Sequence, residues 1–594
     1  MQTIQPFTHI LSRLWRHISP RRRGQFVLLL GLTVLSSFAE VVSLSTVVPF
    51  IGILTQPEKV FDSPSMAGIV EALGIASAKD LVLPLTIAFA LAALVAGGLR
   101  LLLLWVSIRL GNATGADLSI EVYRRTLYQP YRVHVARSSS EIISGITQKV
   151  GTATSVLISV VTVVTSAVLF VAIMMTLLAI DPMVAIVAAA SFGSAYGIIA
   201  WQTRHRLVRN SQCIAQEQNR VIKALQEGLG AIRDVLLDGA QTVYCDVYRR
   251  AVMQLQRAGG ENTFINQAPR YAMEALGMAL IAIFVLAMSY RPGGVAAALP
   301  ILGMLALGSQ RLLPLMQQLY GNWSVVVGSR AALIDVLKLL DQPLPADANQ
   351  PEPIPLALKD TISFDNVRFH YGSNGPWVLD GINLVIPKGA RVGFVGSTGS
   401  GKSTAIDLLM GLLEQTQGEI LVDGQPINQE LQRAWQRTIA HVPQNIFLAD
   451  TTVAENIAFG IPPDQIDFER VRKAAEQARI AEFIESRPEG YSAIVGERGV
   501  RLSGGQRQRI GIARALYKQA TVLIFDEATS ALDSNTELAV MGAIENLDPD
   551  LTVLIIAHRL TTLKNCDMIV QLDHGKIVAQ HTYEQLTNST LNAT

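Results

Sequence analysis

The chain has 594 residues, of which 50% are hydrophobic and only 16% are charged, and its formal net charge is +1. This length exceeds one ordinary domain, and the low charged fraction indicates a membrane protein with a soluble part. A nearly neutral chain without a basic tail gives no reason to expect a nucleic-acid partner. The three cysteines, Cys213, Cys245 and Cys566, are too few and too far apart for a disulfide framework and fit a reducing cytoplasmic face.

Six apolar segments within the first 320 residues predict six membrane-spanning helices, since roughly 20 residues suffice to cross a bilayer. The predicted spans lie near residues 25–54, 81–108, 153–180, 183–201, 271–289 and 295–318. Only Asp181 and Pro182 separate the third span from the fourth, so these two spans should form a tight hairpin.

Basic residues predict which connections face the cytoplasm. Five arginines precede the first span, and many more basic residues lie in the connections 109–150 and 202–270. Both connections show helical periodicity, which predicts helices that extend well below the membrane. A cleavable signal peptide is the alternative for the N-terminus, but the first apolar run is too long for one. Residues 1–340 are therefore predicted to form a multi-pass domain in the cytoplasmic (inner) membrane.

The composition changes at residues 341–360, where "DQPLPADANQPEPIPLALKD" is rich in proline and acid and indicates a linker. Beyond it, short β-rich runs such as "ARVGFVG", "TVLIFDE" and "LTVLIIAH" alternate with helical stretches. This alternation predicts that residues 361–594 form an α/β domain with a mainly parallel sheet flanked by helices, in the cytoplasm.

A phosphate-binding loop is predicted at "GSTGSGKST", which directly follows a strand and precedes a helix. Its glycines let backbone amides turn toward an anion, Lys402 can reach the β- and γ-phosphates, and the Ser403 hydroxyl can ligate magnesium. The predicted nucleotide contacts in this loop are Gly396, Ser397, Thr398, Gly399, Ser400, Gly401, Lys402, Ser403 and Thr404.

Two further patterns indicate hydrolysis of the bound nucleotide. The apolar strand "VLIFDE" ends in Asp526, suited to hold magnesium, and Glu527, suited to polarise the attacking water. In "RLSGGQRQR", Ser503 and the amides of Gly504 and Gly505 lie at a predicted helix N-terminus, where they can bind a phosphate.

With these motifs in this order, residues 360–585 resemble the nucleotide-binding domain of the ATP-binding cassette (ABC) family, with "LSGGQ" at 502–506 as its signature. The resemblance implies a P-loop ATPase coupled to transport, with ATP and Mg2+ as cofactors. It also implies that Tyr371 stacks on adenine, that Gln444 binds magnesium and couples it to the membrane part, and that His558 is the γ-phosphate switch. Glu527, His558 and Gln444 are then the catalytic candidates, and Gln506 joins the signature contacts to ATP.

The resemblance also implies a dimer, because in this family the signature of one cassette completes the nucleotide site of another. Glu527, His558 and the signature are all intact here, which favours a second copy of the same chain as the partner. A heteromeric partner stays open.

Ionisable residues inside membrane spans are expensive and mark either function or a buried pair. Counting along the helices places Arg100, Arg270 and Arg311 at a similar depth near the inner leaflet. In two copies they would surround a cavity that attracts phosphate. Alternatively the arginines extend to the lipid headgroups as anchors, and Arg270 pairs with Glu274 one turn on. Glu40 is either a buried partner of an arginine or part of the transport route.

Four stretches, "FAEVVSLSTVVPFIGIL", "GGLRLLLLW", "APRYAMEALGM" and "QRLLPLMQQL", resemble the first, second, fifth and sixth helices of the lipid-linked oligosaccharide flippases of this family. The resemblance implies that the intramembrane arginines bind the pyrophosphate of a polyprenyl-linked sugar. It also implies a short external helix between the first two spans, for which the amphipathic residues 64–80 are the candidate, with a simple surface helix as the alternative. It predicts an ATP-driven flippase or exporter of a phosphate-bearing glycolipid. The alternatives are an exporter of another amphiphile, such as a peptide, drug or phospholipid, and an ATP-gated channel or regulator.

Overall fold

The computed structural model describes residues 6–55, 58, 61–62, 71, 77–180, 182–289, 312–372, 375–527, 534–545, 549–557 and 559–591. The chain divides into two compact units, one of residues 1–129 and 133–345, the other of residues 130–132 and 346–594. The main division falls within the predicted linker, where residues 341–360 contain neither helix nor strand.

Helices, several of them long, make up most of the described chain up to residue 340. They are α1 (Phe7–His17), α2 (Pro20–Thr55), α3 (Val82–Leu127), α4 (Tyr131–Ala136), α5 (Ser139–Ser144), α6 (Val150–Ile180), α7 (Pro182–Gly230), α8 (Ile232–Leu237), α9 (Gln241–Ser289), α10 (helical residues 312–328) and α11 (Arg330–Leu340). A π-helical turn, Gly145–Lys149, joins α5 to α6.

Three of these helices are far longer than a bilayer requires. α3 has 46 residues, and α7 and α9 have 49 each. At a rise of about 1.5 Å per residue such helices reach roughly 70 Å, more than twice a hydrocarbon core of about 30 Å. The prediction that the polar connections continue as helices is confirmed.

Length and composition mark three stretches of the described residues as able to cross a membrane: Pro20–Ser43, Val82–Leu127 and Ser139–Thr176. The predicted fourth and fifth spans lie at the start of α7 and the end of α9. Most of the predicted sixth span, Arg311 and most of the predicted external helix at 64–80 lie outside the described residues.

The short first helix, α1, packs into the hydrophobic core of the first unit. Ile10 and Leu14, four residues apart on α1, are fully buried in a cluster that includes Leu333 and Val336 of α11. Asp341, directly after α11, accepts hydrogen bonds from Arg13 and from His17 Nε2, the latter at 2.8 Å. The amphipathic α1 therefore packs against the last helix before the linker.

The second unit contains two sheets. Its strands are β1 (Thr361–Phe369), β2 (Leu379–Pro387), β3 (Arg391–Val395), β4 (Gln417–Val422), β5 (Gln425–Pro426), β6 (Ile439–Val442), β7 (Val522–Asp526), β8 (Thr552–Ile556), β9 (Met568–Asp573) and β10 (Lys576–His581). Its α-helices are α12 (Lys402–Leu409), α13 (Gln429–Thr438), α14 (Val453–Ile457), α15 (Phe468–Gln477), α16 (Ala481–Glu485), α17 (Gly504–Tyr517), α18 (Ser534–Glu545) and α19 (Tyr583–Leu591).

The larger sheet has the order β10-β9-β3-β8-β7-β6, and only the β10–β9 pair is antiparallel among the described strands. Strands β3, β7 and β8 are continuous apolar runs with buried interiors, as expected for parallel strands covered on both faces. The smaller antiparallel sheet has the order β2-β1-β4-β5. The predicted parallel sheet with flanking helices is confirmed.

Parallel strands place their carboxyl ends at one edge of a sheet, and ligands of such folds bind there. In this unit the loops that follow β3, β6 and β7 all leave the sheet at that edge. The three segments predicted to bind and hydrolyse nucleotide are therefore brought to the same side.

Candidate functional site

The loop Gly396–Gly401 connects β3 to α12 and takes a backbone conformation that glycine favours. The φ angles of Gly396, Gly399 and Gly401 are +150°, +84° and +102°. A Cβ at Gly396 would lie 2.1 Å from the Leu572 carbonyl oxygen, and one at Gly401 would lie 2.6 Å from Leu379 Cδ2. The chain thus turns tightly at the N-terminus of α12, which leaves a cradle of the kind that binds phosphate.

Lys402, the first residue of α12, is only 6% exposed. Its Nζ donates hydrogen bonds to the carbonyl oxygens of Gly396 and Ser397, at 2.9 and 3.0 Å. The loop therefore holds a buried ammonium group against its own backbone. The buried Ser400 hydroxyl has no hydrogen-bond partner in the described part of the chain, and Ser403 is exposed beside it. These groups fit a polyphosphate with its magnesium ion.

The predicted adenine contact, Tyr371, lies close to the loop. The residue is 64% exposed, and its ring packs edge-on against that of Phe369, with 5.0 Å between the centroids. The Tyr371 hydroxyl lies 3.1 Å from Thr404 Oγ1 on α12. Ser397 and Thr398 are exposed in the loop. An accessible aromatic face is therefore available next to the phosphate cradle.

Gln444 and Glu527 meet at the ends of neighbouring strands. Gln444 follows β6 and Glu527 follows β7, and Gln444 Nε2 donates to Glu527 Oε2 at 2.7 Å. Glu527 has a φ of +51°, in the left-handed region that costs a residue with a side chain about 1–3 kcal/mol. Strain of this kind is concentrated at functional positions, so the backbone conformation marks Glu527 as a candidate functional residue.

Sequence reasoning missed Asp407, a half-buried residue of α12 near Asp526. Burial, and secondarily the charge of Asp526, raise the pKa of the Asp407 carboxyl to about 6. The only signal in the sequence was one acid among the apolar residues of "AIDLLMGLL". The edge of the sheet therefore carries one more carboxylate than the motifs indicated.

The signature residues form a capped helix start. Ser503 Oγ accepts from Gln506 N at 3.2 Å, and Gln506 Oε1 accepts from Ser503 N at 2.8 Å, while Gly504 and Gly505 open α17. Among the described residues no hydrogen bond joins 503–506 to 396–404. The structure thus brings the phosphate loop, Gln444, Asp526 and Glu527 to one edge but does not bond the signature to that loop. His558 lies outside the described residues.

A cavity of about 830 Å³ lies in the first unit between α2, α3, α6 and α10. Arg100 of α3 lines it, and its Nη2 lies 2.8 Å from Glu40 Oε1 of α2. The Glu40 side chain is only 5% exposed, whereas that of Arg100 is 51% exposed. The structure therefore shows Glu40 as the buried partner of an arginine, which is one of the two possibilities predicted for it.

The other two arginines differ from Arg100. Arg270 of α9 has its Nε 2.9 Å from Glu274 Oε1, the pairing one turn on that its spacing predicted. Arg270 is absent from the described residues that line the cavity. Arg311 lies outside the described residues. Of the three, Arg100 is the one that the described structure places on this cavity.

Sequence reasoning also missed a set of hydroxyl residues on the cavity wall. Two helices present them with the same spacing: Thr33, Ser36 and Ser37 on α2, and Thr162, Thr165 and Ser166 on α6. Hydroxyl residues at i, i+3 and i+4 within an apolar span share one helix face, so this spacing was a usable signal.

Comparisons with known proteins agree with this geometry. The family model described as ABC transporter matches residues 379–530. An ATP-dependent lipid A-core flippase of Cupriavidus pinatubonensis is 31% identical over 489 residues, covering 80% of this chain and 81% of its own. A protein of the same name from Idiomarina loihiensis is 43% identical over 256 residues, covering 43% of this chain and 44% of its own.

Among solved structures, a bacterial Atm1-family ABC exporter with ATP bound matches with a TM-score of 0.77 and 25% identity, covering 96% of both chains. Both the helical unit and the α/β unit are therefore those of an exporter. The chain belongs to the ATP-binding cassette exporters, as a half-transporter of the membrane that couples ATP hydrolysis to transport with ATP and Mg2+ as its cofactors.

Proposed function

We propose that the chain flips or exports a phosphate-bearing, lipid-linked oligosaccharide or glycolipid across the cytoplasmic membrane, driven by ATP hydrolysis. The observation that carries the proposal is the cavity of the first unit, with the Arg100–Glu40 pair and a wall of hydroxyl groups. The relatives named as lipid A-core flippases support a lipid as the substrate.

Arg100 supplies the group that would recognise the phosphate. A guanidinium binds phosphate oxygens through two parallel hydrogen bonds and keeps its charge in apolar surroundings. In the structure Glu40 holds that guanidinium at 2.8 Å. A phosphate group in the cavity would compete with Glu40 for the same N–H groups, so the pair can act as the anchor that the substrate engages.

The hydroxyl wall suits a headgroup that is rich in hydrogen-bond donors. Thr33 Oγ1 donates to the carbonyl oxygen of Leu29 at 2.9 Å, and Thr162 Oγ1 donates to that of Ile158 at 2.9 Å. Because these protons are engaged within the helices, the oxygens offer lone pairs toward the cavity. Sugar hydroxyls can donate to them. The stacked rings of Phe50 and Phe89, with centroids 4.9 Å apart, add an apolar part for the lipid.

We assign a role to each residue predicted for the nucleotide site. Tyr371 stacks on adenine, Gly396–Thr404 hold the phosphates, and Ser403, Gln444 and Asp526 hold the magnesium ion. Glu527 polarises the attacking water and His558 contacts the γ-phosphate.

A second copy of the chain supplies Ser503, Gly504, Gly505 and Gln506 to complete the nucleotide site. In the structure Ser503 caps the N-terminus of α17, where the Gly504 and Gly505 amides can bind a phosphate, which supports a role for this segment in a nucleotide site.

The test is a flipping assay in proteoliposomes with labelled lipids that carry diphosphate-sugar, monophosphate-sugar or neutral sugar headgroups. We expect ATP-dependent flipping of the phosphate-bearing lipids and a loss of about tenfold or more in Arg100→Gln, because a charged hydrogen-bonding partner is removed. Arg109→Gln is the matched control, since Arg109 lies on the same helix and stacks on Trp105 outside the cavity wall.

Two outcomes would contradict the proposal that the transporter recognises a phosphate-bearing headgroup. One is equal flipping of neutral and phosphate-bearing lipids, and the other is unchanged flipping in Arg100→Gln. ATP-stimulated transport of a peptide, drug or plain phospholipid in the same assay would favour the broader class of amphiphile exporters.

A further inference from the structure

We propose that the second unit carries an anion-binding site, separate from the nucleotide site, that takes a small phosphate-bearing molecule. The site is a groove of about 1160 Å³ next to the starts of β6 and β7, lined by α15, by the end of α17 and by residues 355–357. Ile439 begins β6 and Thr521 directly precedes β7. The groove thus lies at the amino ends of the strands, opposite the edge that carries the phosphate loop.

Cations outnumber acids along this groove. Arg437, Arg470, Arg514 and Lys518 line it, and the carboxylates that line it are those of Glu352 and Asp467. Both carboxylates are already engaged. Glu352 forms an ion pair with Arg437, and Asp467 Oδ1 caps α15 by accepting from Arg470 N at 3.1 Å. No ion pair with a carboxylate neutralises Arg470, Arg514 or Lys518 within the described part of the chain.

Neutral groups hold two of these cations in place. Arg514 Nε donates to the Asn456 carbonyl oxygen at 2.8 Å, and its guanidinium carbon lies 4.5 Å from the ring centroid of Phe459. Lys518 Nζ donates to the carbonyl oxygens of Gln436, at 2.8 Å, and Ile439. These contacts fix the positions of the charges but do not cancel them, so the groove keeps a positive potential.

Arg470 and His441 each have a buried side-chain nitrogen without a hydrogen-bond partner among the described residues. The guanidinium carbon of Arg470 lies 4.6 Å from the ring centroid of Tyr517, and its Nε is buried with no hydrogen-bond partner in the described residues. His441 lines the same groove, and its Nε2 is likewise buried without a hydrogen-bond partner among the described residues. Buried polar atoms without partners are rare, and two on one basic groove point to a ligand that accepts hydrogen bonds.

Burial disfavours the charged forms of three groups that line the groove. Burial lowers the pKa of Arg514 to about 10 and that of His441 to about 4. Burial, and secondarily repulsion from Arg437, also lower the pKa of Lys518. Each protonated form is disfavoured in the free groove, and a bound anion would reverse that effect.

The volume of the groove and its partly apolar lining favour a small molecule over a bare ion. Ligand pockets typically measure about 300–1,000 Å³, and this groove is slightly larger. Phe459, 56% exposed, adds an apolar face to the basic lining. A phosphate ester with an organic part fits this combination, and its phosphate would contact Arg470 and His441.

The test uses full-length protein in lipid nanodiscs, in a Lys402→Ala background that weakens phosphate binding at the loop. Calorimetric titration with inorganic pyrophosphate should reveal one site per chain. Adding Arg470→Gln should weaken binding about tenfold or more, because a charge-assisted hydrogen bond is lost, and Arg470→Lys should restore part of it. Arg472→Gln is the matched control, since Arg472 lies on the same helix, is 55% exposed and does not line the groove.

A second readout locates the anion. In protein labelled at histidine, magnetic resonance should show the pKa of His441 rising from about 4 when pyrophosphate is added, with the shift lost in Arg470→Gln. The proposal is overturned if millimolar pyrophosphate does not bind, if Arg470→Gln and Arg472→Gln bind equally well, or if pyrophosphate binds without moving the His441 titration.

Discussion

Gln444 Nε2 donates a 2.7 Å hydrogen bond to Glu527 Oε2 although 83 residues separate the two in the chain. The contact exists because β6 and β7 are parallel neighbours and both residues leave the sheet at its carboxyl edge. The hydrogen bond links Gln444, which is proposed to bind magnesium, to Glu527, which is proposed to activate water. A change in either side chain should therefore affect the position of the other.

Glu527→Gln should abolish hydrolysis while sparing nucleotide binding. The substitution keeps the shape of the side chain but removes a general base, which contributes about 10²–10⁴-fold to rate. Phosphate release and binding of a labelled ATP analogue measure the two effects separately. Glu482→Gln on the exposed face of α16 is the control and should hydrolyse ATP like the parent protein. Hydrolysis within a few-fold of the parent in Glu527→Gln would refute the assignment.

Gly401→Ala should damage the phosphate loop, whereas Gly542→Ala should not. Gly401 has a φ of +102°, and an added Cβ would lie 2.6 Å from Leu379 Cδ2. We expect a loss of about 1–3 kcal/mol in stability and weaker ATP binding. Gly542 lies inside α18, and outside its own helix backbone no atom of the described residues comes within 4 Å of an added Cβ, so alanine should leave stability equal or slightly higher. Thermal unfolding with and without ATP tests the pair, and similar behaviour of the two variants would contradict it.

Lys149→Met should destabilise the first unit more than Lys338→Met, although both lysines contact Asp335. Lys149 Nζ lies 2.7 Å from Asp335 Oδ2 and its side chain is 1% exposed, while Lys338 Nζ lies 3.1 Å from Oδ1 and its side chain is 64% exposed. Loss of the buried charged hydrogen bond should cost about 2 kcal/mol, and loss of the exposed pair less than about 1 kcal/mol. Thermal unfolding in detergent provides the comparison. Equal losses would show that burial of Lys149 does not strengthen its bond.

Asp407 should make the second unit less stable as the pH rises from about 4 to about 6. Burial raises the pKa of the Asp407 carboxyl to about 6 in the folded chain, well above the ordinary value of an aspartate, so in this window the folded form binds a proton that the unfolded form has released. Asp407→Asn should remove this part of the pH dependence. Thermal unfolding across the window measures the slope, with the exposed Asp464→Asn as the matched control. An Asp407→Asn slope equal to that of the parent would show that the carboxyl titrates normally.

Much of the nucleotide-binding fold could be predicted because its signals are local. Around Lys402 a strand, a glycine-rich loop and a helix follow one another directly in the sequence, so the motif can be recognised from neighbouring residues. The apolar runs of β3, β7 and β8 indicate strands that are buried on both faces. The long helices were predictable for the same reason, since helical periodicity depends on neighbours three and four residues away.

Local patterns in the chain therefore sufficed for the class of fold, the phosphate loop and the chemistry of ATP. Only the tertiary structure could decide that Glu40 meets Arg100 and that Asp407 lies near Asp526. The same holds for the basic groove, which is lined by His441 and Arg470, whose Nε2 and Nε atoms have no hydrogen-bond partner among the described residues. The physical reason is that periodicity reports which face of an element is buried and not which element covers it. Partners are set by strand order and helix packing, which join residues far apart in the chain.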